Sequence, residues 1–200
     1  MSGNISFNPM TTLNASNSFL VDTDGFVQGT YFDDPSMRYQ LRGGIASSAI
    51  THPIWGGLPV TVAIPAIGAN AMGPTINLAT TIAAIAGWSV FNQAHHMILT
   101  PGNTVPLASA GMTVQFIEPG SLLRLAVQCD PVLADALSGD QQNVQVAWDF
   151  TNNRLTTYSS GTALPVLVEM VNLTSKIVNY NSSTGAVTWT DAGPAAIIRI

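Results

Sequence analysis

Charge is what this chain of 200 residues has least of: six lysines and arginines, eleven aspartates and glutamates, 8% charged residues in all. An average soluble protein carries about a quarter. Lys176 is the one lysine. A nucleic-acid-binding surface needs clustered Lys and Arg to displace counterions from phosphates, and a formal net charge of −5 has the wrong sign for it. The same sign disfavours an anionic membrane surface. The exterior must instead be built from Thr, Ser, Asn, Gln and small apolar groups, a composition suited to a protein packed against neighbours.

Cysteine is almost absent as well. Cys129 stands alone, which excludes an intrachain disulfide and any zinc site made of several cysteines. The opening residues, MSGNISFNPMTTLN, lack the basic start and apolar run of a signal peptide, so synthesis in the cytoplasm is expected. No uninterrupted hydrophobic run is long enough for a bilayer. Leu58 to Phe91 is nearly uncharged, but Pro59, Pro65, Pro74, Gly68, Gly73 and Gly87 break it. Its longest intact piece, Ile76–Ala86, falls short of the roughly 20 residues a spanning helix requires. Thr, Ile and Val favour strands there, with a short buried helix over Ile76–Ala86 as the alternative.

Catalytic and metal-binding frames are missing too. His95 and His96 are adjacent, so on a strand they point to opposite faces and cannot chelate one ion together. No G-x-S-x-G elbow occurs. Asp33-Asp34 is followed at once by Pro35, which reads as a turn rather than a converging acid–base pair. The Gly-Gly pairs at 43–44 and 56–57 lack a phosphate-loop frame. Asp22-Thr-Asp24-Gly25 has the opening of a calcium loop without its later ligands. The expectation is a protein that is not an enzyme and carries no cofactor or metal.

What is present is period-two alternation. Met112, Val114 and Phe116 alternate with Thr113 and Gln115; Leu123, Leu125, Val127 and Cys129 with Arg124, Ala126 and Gln128; Val144, Val146, Trp148 and Phe150 with Gln145, Ala147 and Asp149. Such patterns mark antiparallel strands over a core, and they place Cys129 on the apolar face. Val187 and Trp189 form another inward pair, and Ala196–Ile200 a closing strand. Glu118-Pro-Gly120, Thr151-Asn-Asn153, Asn181–Gly185 and Asp191–Pro194 are turn chemistry between them. One short helix is predicted, with Asp130 as cap, Pro131 in the first position, Leu133 and Leu137 on one face and Gly139 ending it. Arg124 and Glu169 lie inside otherwise neutral strands, either facing solvent or paired across an interface. The fold expected is all-β: an antiparallel barrel or sandwich over residues 58–200, with one short helix and an extended N-terminal arm and anchoring segment over 1–57.

Within that segment, Gln28 to Pro65 mixes aromatics with turn residues and has no periodic core of its own. Its anchors must be buried against something. The candidate contact residues are Phe19, Phe26, Tyr31, Phe32, Arg38, Tyr39, Arg42, Ile54 and Trp55. Either they reach a partner or another subunit, or Tyr31, Tyr39 and Trp55 plug one end of the downstream domain.

The ordered phrases WSVFNQAHHMILTPGNTVPLASAGMTVQF, LLRLAVQCDPVLADAL, VQVAWDFTNNRLTTY and LPVLVEMVNLTSKIVNYNSSTGAVTW, followed by a hydrophobic C-terminus, resemble head structural proteins of tailed bacteriophages, in particular capsid decoration (cement) proteins. The resemblance covers roughly residues 26–200. It implies a small β-rich virion protein on the outer capsid surface, made in the host cytoplasm and binding the major capsid protein as a homo-oligomer, a dimer or trimer, with an arm or loop as clasp. It implies no catalytic residues. The alternative from a different class is a glycan- or receptor-binding β-module, a head fibre or adhesin, with Trp55 and Trp88 as stacking platforms.

Overall fold

The computed structural model describes residues 25–31, 40–67, 73–91 and 99–200. Among them β1 (Leu41–Ala46), β2 (Pro59–Ala63), β3 (Thr75–Leu78), β4 (Gly87–Ser89) and β5 (Thr113–Ile117) close a five-stranded barrel in the order β1-β3-β2-β4-β5. Every pairing in it is antiparallel except β1 with β3, where Ile45 faces Thr75. Val60, Ile76, Val114 and Phe116 fill the inside together with Ala46, Ile54 and Ala108. The alternation read in Met112–Phe116 is therefore the inside–outside alternation of a barrel strand.

The second half forms a three-stranded sheet and a hairpin. β6 (Arg124–Gln128), β9 (Leu167–Tyr180) and β10 (Val187–Arg199) pair antiparallel in the order β6-β10-β9. β7 (Val146–Asp149) and β8 (Arg154–Thr157) make the hairpin. Helix α1 (Pro131–Leu137) sits between β6 and β7 as the capping residues predict. Asp130 accepts from the Val132 amide at 3.0 Å, Pro131 opens the helix, and Leu133, Ala134 and Leu137 are buried. Leu125, Val127, Cys129, Val146, Trp148 and Ile198 belong to the large core beneath these elements. There the Trp88 and Trp148 rings meet edge-on, 4.9 Å between centroids.

Three expectations change. Asp191–Pro194 is no turn: β10 runs through it as one strand of 13 residues, with register shifts between Thr190 and Gly193 and between Gly193 and Ala195. Pro194 offers the ladder no N–H, and a bulge absorbs that loss without ending the strand. Ile76–Ala86 is neither all strand nor one helix: β3 takes its start and a single 3-10 turn, Ile82–Ala84, its end. The division at residue 57 also moves, because Leu41–Ala46 is a barrel strand and Ile54 lies within the barrel's core. Residues 1–24 lie outside the described residues, as do His95, His96, Asp33 and Asp34.

Gly25–Tyr31 joins the parts. β9 and β6 are the two outer strands of the three-stranded sheet, and this segment bridges to both, Val27 to Lys176 in parallel and Tyr31 to Leu125 in antiparallel fashion. Gln28 is fully buried. Its amide donates to the Lys176 carbonyl at 2.9 Å. Its side-chain Oε1 accepts from the Val178 amide at 2.8 Å, and Nε2 donates to the Gly56 carbonyl across a long 3.4 Å. The next residue turns the chain at φ +82°, and a Cβ there would lie 2.5 Å from Gly56 Cα, so residue 29 must be glycine on both grounds.

Replacing Gln28 by Met keeps the volume but strands the Val178 N–H and the Gly56 C=O. Each orphaned buried group costs about 1–3 kcal/mol, so Gln28→Met is expected to lower the unfolding free energy by about 2–4 kcal/mol in urea titration. A change within about 0.5 kcal/mol, the range of ordinary surface substitutions, would remove Gln28 from this role.

Candidate functional site

A cleft of about 610 Å³ opens where the barrel, the β7–β8 hairpin and the end of β9 meet. The loop between β1 and β2 supplies Thr51, His52 and Trp55, the residues after β3 supply Ala79 and Thr80, and β6 ends in it with Gln128. The hairpin turn contributes Phe150 to Arg154, and β9 with its following loop contributes Val178 to Tyr180 and Ser182.

Local chemistry fixes each wall. In the hairpin turn, Asp149 Oδ1 accepts from the amides of Thr151 and Asn152 at 2.9 and 3.0 Å, and Oδ2 from Asn152 Nδ2 at 2.6 Å. Desolvation pulls the Asp149 carboxyl upward, but these bonds and the nearby Arg154 guanidinium outweigh it and hold the group below the ordinary carboxylate range. Asn153 then adopts φ +54°, a left-handed conformation that asparagine tolerates better than most residues. Arg154 is anchored by Nη2 to Asp130 Oδ2 at 2.7 Å, tying the hairpin to the start of α1.

Against this turn three rings cluster. His52 stacks on Trp55 at 4.7 Å and lies 4.9 Å from Tyr180, with Trp55 and Tyr180 5.6 Å apart. His52 Nδ1 is 2.9 Å from the Pro53 carbonyl and Nε2 is 3.3 Å from Asn153 Nδ2. The carbonyl only accepts, which assigns the proton to Nδ1 and leaves Nε2 to accept from Asn153. Burial lowers the His52 pKa below its ordinary 6.5, opposed in part by the bond to Pro53, so the ring is neutral at neutral pH. The Trp55 indole N–H is buried with no acceptor among the described residues, and so is Arg154 Nε.

The contact candidates fall elsewhere. Ile54 is fully buried and Trp55 is 2% exposed, both in the chain's own cores, which removes them from any outward-facing contact surface. Phe26 is half-buried: its amide donates to Ser175 Oγ at 2.9 Å and its carbonyl accepts from Lys176 at 2.7 Å. Tyr31 is half-buried against the large core. Arg42 is exposed on β1 and pairs with Glu118 at 3.4 Å. Phe19, Phe32, Arg38 and Tyr39 lie outside the described residues. Trp88 is 1% exposed, so neither Trp55 nor Trp88 offers a ring face as a stacking platform. Cys129 is buried as its strand position predicts; burial, reinforced by the charge of Asp130, pushes its thiol up to about 12 against a lesser pull from Arg154. His52, Phe150, Asn153, Asn179 and Tyr180 did not stand out in the sequence, where asparagines flanking strands read simply as turn residues.

The class of protein is defined by the fold: all-β, a closed five-stranded barrel joined to a three-stranded sheet. No protein-family model, curated protein or solved structure matches the chain. Among the described residues no helix is long and apolar enough to cross a membrane, and no three His, Cys, Asp or Glu side chains gather as metal ligands.

The neutral state of His52 carries a pH signature. An unfolded histidine takes up a proton near 6.5 while the folded ring resists it, so below that pH the unfolded state binds more protons. Stability held above pH 6.5 therefore declines as pH falls from 6.5 through the depressed folded value. His52→Gln is expected to show a smaller fall in Tm between pH 7.5 and 5.5 than the parent. Equal falls would show that His52 titrates normally.

Proposed function

We propose that the chain is a virion structural protein that decorates and cements the outside of a tailed-phage capsid, bound to the major capsid protein. The observation that carries this reading is the character of the surface. Every described basic side chain has a carboxylate beside it: Arg42 with Glu118, Arg124 and Arg199 with Glu169, Arg154 with Asp130, Lys176 with Asp191. Meanwhile Ile64 and Ile67 stand fully in solvent, Leu122 and Val132 are largely exposed, and Met170 and Leu173 project from β9. A shallow groove of about 430 Å³ lined by Leu122, Leu164, Pro165, Val166 and Ile200 adds apolar area. Exposed apolar groups on a surface whose described cations are all paired suit a surface that is covered in a lattice of protein subunits. The ordered phrases of the sequence point the same way.

The clasp of this reading is residues 1–24. A chain beginning at Gly25 retains every described strand and isolates the contribution of the clasp. Mixed with mature head shells of the encoding phage stripped of accessory proteins, the full chain should co-sediment at stoichiometric occupancy and the shortened one should lose most of it. Failure of the full chain to bind any such shell would overturn the reading. Full occupancy by the shortened chain would overturn the clasp alone.

A further inference from the structure

We propose that the cleft between His52, Asn153 and Tyr180 is a binding site for a neutral oligosaccharide. This inference rests on the cleft and not on the shell reading. A volume of about 610 Å³ lies in the range of small-molecule sites. Its lining holds three half-buried rings, His52, Phe150 and Tyr180. Sugar rings present C–H faces that pack on such rings, and hydroxyls that donate and accept at once.

The polar groups of the lining answer those hydroxyls. Gln128 and Asn179 line the cleft with amides that hold no side-chain hydrogen bond among the described residues. Amides are the natural partners of hydroxyls, offering a carbonyl and an N–H₂ on one planar group. Two further donors, the Trp55 indole N–H and Arg154 Nε, belong to lining residues and are buried without acceptors. Buried donors left open in a fold are usually met by a water or a ligand oxygen.

Charge sets the class of sugar. Arg154 is the one formally charged side chain in the lining, and its Nη2 is held by Asp130. His52 is held neutral by its burial, against the opposing bond to the Pro53 carbonyl, and its Nε2 accepts from Asn153. A carboxylated, sulfated or phosphorylated ligand would meet only a guanidinium whose charge is already matched by Asp130. An uncharged ligand rich in hydroxyl or acetamido groups fits instead. The walls are also preorganised, since the Asp149 bonds and the Arg154–Asp130 pair fix the hairpin side before anything binds.

The full chain is to be screened on an array of linear glucose, galactose and N-acetylglucosamine oligomers, beside sialylated and sulfated glycans. Hits are then titrated by tryptophan fluorescence. The expected result is binding to neutral members only. Asn179 is exposed, so Asn179→Trp fills the cleft from a position that tolerates bulk and should abolish binding with the melting temperature kept. Asn179→Ala and Gln128→Ala, which add no bulk, should each weaken binding about three- to tenfold, the loss of one neutral hydrogen bond. Leu173→Asn, which is not among the lining residues, should leave it unchanged. Absence of any neutral hit, preference for the charged glycans, or binding indifferent to Asn179→Trp overturns the proposal. Retained shell binding by Asn179→Trp would keep the cleft and the lattice contacts as separate properties of one chain.

Discussion

The hydrogen bond from the Val178 amide to the buried Gln28 side chain is the constraint on which the rest of the structure depends. An open three-stranded sheet has two edges whose amides and carbonyls need partners. Here one short segment answers both. At the β9 edge Gln28 supplies a backbone donor and a side-chain acceptor on successive exposed groups of the strand, acting as a substitute for a further strand. One residue later, the Gly29 amide donates to the Ala126 carbonyl at 2.7 Å and its carbonyl accepts from Phe91 at 3.0 Å. The two outer strands of the sheet and the barrel are thus fastened at one point. The close pass of Gly29 over Gly56 is what makes that point compact enough.

The same economy governs charge. Glu169 is only 10% exposed in its side chain, and both Arg124 and Arg199 of neighbouring strands turn to it. A buried carboxylate would be costly alone, and removing either partner of such a group is far more damaging than removing both. Arg154 pairs with Asp130 and the mostly buried Lys176 with the exposed Asp191 at two other junctions of the fold. Lys176 Nζ also lies 5.7 Å from the centre of the Trp189 ring, where a cation meets the negative face of the indole. With so few ionic groups in the chain, pairing each described cation with a carboxylate leaves an exterior poor in positive charge. That exterior follows directly from the low charge count of the sequence.

Much of the β-architecture was legible from residues. Alternation placed Val114 and Phe116, Leu125 and Val127, Val146 and Trp148 inward, and all six are buried. Capping chemistry placed α1 because Asp130, Pro131 and Gly139 are each local signals with a local effect. What failed were features whose meaning depends on distant chain. The Asp191–Pro194 stretch has turn composition, but pairing with β9 on both sides of it and at Gly193 with Ser175 carries the strand through it. Ile54 and Trp55 sit among breakers and looked like anchors for a partner; the barrel and the β9–β10 hairpin close over them instead. Gln28 gave no signal at all, since a lone glutamine between Val27 and Gly29 reads as a solvated loop residue. Only the free amide of Val178, 150 positions away, gives it a role.

The cleft was invisible for the same reason. Its rings and amides come from four separate stretches of chain, and none of them taken alone signals a site. Their convergence follows from the seam. Val178 is held by Gln28, and the two residues after it, Asn179 and Tyr180, enter the cleft wall. Gln28 also reaches the Gly56 carbonyl, directly after Trp55, whose ring carries His52. One buried amide side chain therefore ties together, from beneath, the two elements that carry the ring cluster: the barrel loop that bears His52 and Trp55, and the strand end that bears Asn179 and Tyr180. The distance between the rings is set below the surface, by hydrogen bonds that solvent does not reach. A site built in this way has its shape decided by the fold's own closure, so what stabilises the seam also preorganises the cleft.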